Sequence, residues 1–133
     1  MIKLNGVEIK PTIFPDGTSQ VWKIDNLTGE EYIIEWDFEN DAEIFHICQL
    51  THLIEYEDSD PYKQITLKAD TLPYARQDKD VGNENTFARH TLLKVLKTSG
   101  INTVETIDCH SKVYSSMEIV DKKPSKEIRN ANS

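Results

Sequence analysis

No stretch of this 133-residue sequence is apolar for long enough to cross a membrane, and its opening, Met1-Ile2-Lys3-Leu4, lacks the charged start and apolar run of a secretion signal. A soluble, cytoplasmic chain with no membrane partner is expected. Basic charge is in deficit: 15 Lys and Arg stand against 23 Asp and Glu, a formal charge of -8. Such a surface repels a nucleic-acid backbone, so no nucleic-acid partner is expected and any phosphate must be held by local donors. Cysteine is scarce too. Cys48 and Cys109 have neither metal-ligand spacing nor the density of a disulfide framework, and they read as small buried hydrophobes. There is no repeat and no low-complexity tract. The 38% of hydrophobic residues is enough for one domain with a two- or three-layer core.

Taken in order, the chain opens on Asn5-Gly6 between Ile2-Lys3-Leu4 and Val7-Glu8-Ile9, a strong hairpin signal. Thr12-Ile13-Phe14 leads into the turn composition Pro15-Asp16-Gly17-Thr18, and Gln20-Val21-Trp22-Lys23-Ile24 alternates as a strand. A further strand puts Tyr32, Ile34, Trp36 and Phe38 on one face. Asn40 and Glu43 predict a capping box for a helix running to about Glu55, with Ile44, Ile47, Cys48, Thr51 and Ile54 as its buried stripe and Phe45 and Leu53 widening it. His46 and His52, six apart on that helix, face different ways and read as surface or half-buried residues rather than metal ligands. Ile65-Thr66-Leu67-Lys68-Ala69 is a strand. A second helix, capped by Asn83 or Asn85, buries Ala88, Leu92, Val95 and Leu96 and stops at Gly100. His90 reads as a surface residue of that helix. Thr103-Val104-Glu105-Thr106-Ile107 is the next strand and Met117 to Val120 another. Residues 1–121 form the domain and 122–133 a polar tail too poor in apolar residues to pack.

Strand, helix, strand is a right-handed parallel unit, so its two strand ends open on the same side of the sheet. Just past the first of them lies Tyr74-Ala75-Arg76-Gln77-Asp78-Lys79, where an open α/β sheet binds its ligand. Arg76 offers a planar fork of donors to phosphate oxygens, Gln77 can read a base or sugar, and Asp78 can orient the Arg or meet a metal through water. Alone, such a triplet reads as a solvated connection. Asp108-Cys109-His110 at the second strand end and Phe14-Pro15-Asp16-Gly17 near the start are two further polar clusters.

Together these runs resemble the ribose-phosphate pyrophosphokinases (phosphoribosyl pyrophosphate synthetases): the first their YARQDK/R motif, the second their Asp-x-His, the third their Phe-x-Asp-Gly-Glu loop. Order and spacing agree from Phe14 to about Val120. The resemblance implies a parallel-centred three-layer α/β domain of the type I phosphoribosyltransferase kind, here with an N-terminal β-hairpin. It implies that Arg76 and Gln77, with Asp78, contact ATP, that His110 helps position magnesium, and that Phe14 and Asp16 serve the adenine pocket of a neighbour in a homo-oligomer. It also implies ribose 5-phosphate as acceptor, with a nucleotide-sugar as the other possibility.

The chain departs from the family pattern in two places. Thr18 stands where the family has Glu, which alters one adenine or ribose contact. The family's second domain, with its pyrophosphate loop, its Asp-Asp-rich ribose-phosphate signature and its mobile Lys/Arg loop, has no counterpart in this sequence. The chain therefore reads as the N-terminal nucleotide-binding domain, with no residue that could be a sole catalyst. It is expected to need a complementary C-terminal domain or chain, or else to be a non-catalytic binding or oligomerisation module, or a remnant.

Overall fold

The computed structural model describes residues 1–24, 27, 31–74, 88–108 and 118–121. Asn5 and Gly6 both take positive φ, 48° and 86°, which lets the two-residue turn follow the twist of its strands, and β1 (Ile2–Leu4) and β2 (Val7–Ile9) pair antiparallel as expected. Asn5 also exchanges two 2.8 Å bonds with Ile33, its amide donating to the carbonyl and its side-chain oxygen accepting from the amide. The hairpin is thereby fixed to β5 (Glu31–Trp36), with Lys3 opposite Glu35. From β5 onward all pairing is parallel. In β6 (Gln64–Thr71), Leu67 faces Ile34; in β7 (Thr103–Asp108), Val104 faces Leu67; β8 (Glu118–Asp121) closes the sheet in the order β2-β1-β5-β6-β7-β8. The expected neighbouring parallel strands on either side of the second helix are thus observed, in an α/β domain with an N-terminal hairpin.

Register decides which face is the core. Ile2 and Leu4, then Tyr32, Ile34 and Trp36, then Ile65, Leu67 and Ala69, then Val104 lie side by side across four strands, and all are buried. Helix α1 (Ala42–Glu57) contributes Ile47, Leu50 and Ile54 to the same cluster, and α2 (Ala88–Ser99) contributes Leu92, Leu93 and Leu96, so both cover that one face. Each such side chain is worth about 1.5–3 kcal/mol of burial. The opposite face carries Lys3, Glu35, Lys68 and Glu105 in one row across β1, β5, β6 and β7, with Lys68 Nζ 3.9 Å from Glu105 Oε1.

Several local expectations shift. The buried stripe of α1 is Glu43, His46, Ile47, Leu50, Thr51 and Ile54, while Phe45 is 62% exposed. Glu43 and His46 face inward, where polar partners described below hold them. On α2, Arg89 and Leu93 are buried where Ala88 and Val95 were expected. Only Ser19–Gln20 form the strand expected to run to Ile24: the amide of Val21 donates to Gln49 Oε1 at 2.7 Å and so leaves the ladder. Phe38 lies beyond the end of β5 and is 37% exposed. Gly100 ends α2 with φ +115°, as a helix stop requires. Asn102 then pins the start of β6, donating its amide to Ile65 O at 2.8 Å and accepting from Ile65 N at 2.7 Å. Residues 122–133, expected as a loose tail, lie outside the described residues.

Candidate functional site

An open parallel sheet binds ligands in the crevice outside the carboxyl ends of its strands, and there a cleft of about 590 Å³ opens beside the ends of β5 and β6. Lys3, Lys68, Asp37, Asp70, Phe38 and Pro73 border it. Lys3, Lys68 and Asp70 come from the polar sheet face, whereas Asp37, Phe38 and Pro73 follow the ends of β5 and β6. Phe38 meets Trp36 edge-on at 5.6 Å and Tyr74 at 6.3 Å. The hydroxyl of Tyr74 donates to Asp41, whose carboxylate pushes the phenol above its ordinary value. Asp41 occupies the cap position of α1 without capping it.

Glu43, expected to reach back in a capping box, does so and more. Its Oε1 accepts from the amide of Glu39 at 2.7 Å, from that of Asn40 at 3.4 Å and from Trp36 Nε1 at 3.2 Å, and the Met1 ammonium donates to Oε2 at 2.5 Å. Burial alone would raise this carboxyl, but its ring of donors outweighs burial and holds it below the usual range. The reciprocal half of the box is absent, since no side chain caps the helix.

The second expected element, the turn from Phe14 to Thr18, sits on a separate hairpin of β3 (Thr12–Ile13) and β4 (Ser19–Gln20). Phe14 N donates to Thr18 O at 2.7 Å, and Asp16 Oδ1 accepts from the Thr18 hydroxyl at 2.6 Å and from its amide at 3.0 Å. These donors lower the Asp16 carboxyl below its ordinary value. The departure at Thr18 therefore has a structural consequence, because one oxygen of Asp16 is already engaged by its neighbour. The hairpin is clamped to α1: Ser19 Oγ and His46 Nε2 share a 2.7 Å bond, and Gln49 accepts from Val21 N while donating to Ser19 O at 3.1 Å. His46, expected at or near the surface, is only 6% exposed. Ile13, Phe14 and Trp22 are left facing outward. Among the described residues no hydrogen bond or ion pair joins this turn to the cleft.

Arg76, Gln77, Asp78 and His110 lie outside the described residues. Among the described residues no group of three His, Cys, Asp or Glu could hold a metal ion. Cys48 is half-buried with its thiol pushed up by burial, and no described helix is long and apolar enough to cross a membrane. Sequence reasoning missed Lys3, Lys68, Asp37, Asp41 and Tyr74. Only Tyr74, adjoining the Arg76 motif, carried a signal that could have singled it out.

No family model matches the chain. Over 106 residues it is 26% identical to a ribose-phosphate pyrophosphokinase from Saccharolobus solfataricus, a match covering 78% of this chain and 35% of that relative. Its fold is similar to the crystal structure of phosphoribosylpyrophosphate synthetase from Mycobacterium smegmatis, with a TM-score of 0.67 at 16% identity over 94% of this chain and 42% of that one. The chain thus spans well under half the length of either protein. The chain is thus similar in sequence to a ribose-phosphate pyrophosphokinase and shares the fold of a phosphoribosylpyrophosphate synthetase domain.

Proposed function

We propose that this chain is the nucleotide-binding half of a ribose-phosphate pyrophosphokinase-like enzyme, transferring a pyrophosphoryl group from magnesium-ATP to ribose 5-phosphate or a related ribosyl acceptor in nucleotide synthesis, and that it works with a second domain or chain. The observation that carries the reading is the 106-residue match, which covers most of this chain but only 35% of its relative. In its support, β6 and β7 are neighbouring parallel strands, and the segments with Arg76, Gln77 and Asp78 and with His110 follow their carboxyl ends in the sequence. The bordering groups fit a nucleotide polyphosphate with its magnesium: Asp37 and Asp70 are hard oxygen donors suited to an ion that keeps several waters, and Lys3 and Lys68 are phosphate-neutralising cations. Bound magnesium would neutralise charge on the transferred group, while Arg76 and Gln77 hold the nucleotide and Phe14 and Asp16 serve a neighbour's pocket. Titration calorimetry with magnesium-ATP tests this: weak binding by the wild type and loss on Arg76→Ala are expected, and equal binding by both would sink the site assignment.

The outward-facing Ile13, Phe14 and Trp22 favour a second reading, a non-catalytic module that docks on a related subunit through this hairpin. Adding a complementary chain with the acceptor site separates the two, since turnover then appears only on the first reading.

A further inference from the structure

The two helices that cover the core have an outward side of their own. On α1, Phe45, Gln49, His52 and Tyr56 follow one another at steps of four and three on the stripe opposite the buried one, and Phe45 is 62% and Tyr56 80% exposed. Exposed aromatics without intervening lysine or carboxylate have the composition of a contact surface. Beside this ridge, a groove of about 500 Å³ separates α1 from α2, bordered by Cys48, His52 and Glu55 on one side and by Lys94, Val95 and Thr98 on the other.

The two helices differ in charge. Helix α1 holds no Lys or Arg, and Glu55 and Glu57 are its exposed charges; α2 holds no Asp or Glu, and Lys94 and Lys97 are its exposed charges. Glu55 is poorly placed within its own chain. Its carboxylate lies over Gly100, at the end of α2 where the helix dipole is negative, and among the described residues no ion pair engages Glu55 or Lys94.

We propose that this helix face packs on the same face of a second copy of the chain, about a two-fold axis that runs along the groove. Both helices are crossovers between parallel strands on one side of the sheet, so they run in the same direction. Half a turn about the groove therefore lays α1 of each copy on α2 of the other, and the acidic helix meets the basic one twice by symmetry. An axis set across the helices would instead lay α1 on α1 and α2 on α2, opposing like charges in both places. The charge pattern selects the first arrangement. A chain of formal charge -8 repels its copy in general, so pairing needs local complementarity of this kind. Single exposed ion pairs contribute little; the exposed aromatics supply the attraction, and the charges decide which surface is accepted. The cleft of Lys3 and Lys68 lies on the other face of the sheet and stays open in both copies. The pairing is independent of the nucleotide reading and uses a different surface from the Phe14 turn.

The test follows the oligomeric state of the full chain by sedimentation equilibrium. One variant, Lys94→Glu with Lys97→Glu, makes both helices acidic; the other, Glu55→Lys, puts a cation on α1 at the negative end of the α2 dipole, where the fold tolerates it. All three positions are exposed, and an unchanged urea midpoint checks each fold. The wild type is expected to dimerise, less tightly at high salt, and each variant alone to dissociate about tenfold more readily or worse, since like charges then face each other in duplicate. An equimolar mixture of the two variants should recover the dimer, because Glu55 of one then meets Lys94 of the other and the reversed pair matches as well. A wild type that stays monomeric at the highest concentration overturns the proposal, as does a mixture that stays monomeric. A wild-type dimer unmoved by either charge reversal also overturns it and places the contact elsewhere, with the outward Ile13, Phe14 and Trp22 as the next surface to test.

Discussion

His46 is a buried imidazole whose Nε2 is bonded to the Ser19 hydroxyl, and that bond helps hold the β3–β4 hairpin on α1. Burial pushes its pKa below the ordinary 6.5, against a smaller upward pull from the Glu43 carboxylate. The unfolded chain therefore takes up this proton more readily than the folded one. The stabilisation is fully present above about pH 6.5 and is lost as pH falls through the lower folded value. An NMR titration of the His46 ring should show a midpoint below 6.5, and the urea midpoint should drop between pH 7.5 and 5.5 by more in the wild type than in His46→Gln. A ring titrating at or above 6.5 would contradict this account of the clamp.

Two elements carry their own tests. At the end of α2, a Cβ on Gly100 would come within 2.5 Å of Glu55 Oε2, yet that atom is the tip of a flexible side chain that can move aside. The φ of +115° is not relieved that way. Gly100→Ala should therefore cost about 1–2 kcal/mol in urea unfolding, and adding Glu55→Ala should recover almost none of it. On the polar sheet face, the alternating row Lys3, Glu35, Lys68, Glu105 places a cation between two carboxylates. Lys68→Glu would set three carboxylates side by side, with an expected loss of about 1 kcal/mol that shrinks at high salt. A salt-independent loss would point to packing of the lysine stem instead.

For the molecule as a whole, the sequence match spans 35% of the Saccharolobus pyrophosphokinase and the shared fold 42% of the Mycobacterium synthetase structure. Orienting an acceptor against the reacting phosphate contributes about 7–11 kcal/mol of barrier reduction in well-aligned systems, and on the proposed function the acceptor site belongs to the complementary half. The purified chain is accordingly expected to form no pyrophosphorylated product from ATP and ribose 5-phosphate. A complementary domain added in trans should restore turnover, and Arg76→Ala should abolish the rescue. Sustained turnover by the chain alone, free of host synthetase, would refute the half-site argument.

The sequence by itself determined those features whose cause is local. Asn5-Gly6 requires positive φ at both turn residues, the alternation from Tyr32 to Trp36 assigns one strand face to the core, and Gly100 stops a helix, so hairpin, strand and helix end were all legible. The parallel order of β6 and β7 followed from the strand, helix, strand succession, whose helical crossover returns the chain in the same direction. What tertiary structure alone decided depends on partners far apart in the chain. Helical periodicity could not show that α1 turns Glu43 and His46 inward and Phe45 outward, because the donors that fix Glu43 include Trp36 and Met1 and the partner of His46 is Ser19. Nor could alternation reveal that the strand after the Phe14 turn stops at Gln20, since the competing acceptor is Gln49, 28 residues from Val21. The cleft is the plainest case: Lys3 and Lys68 border it together only because β1, β5 and β6 pair in one register, and Tyr74 at its edge meets Asp41 and Phe38 from other elements.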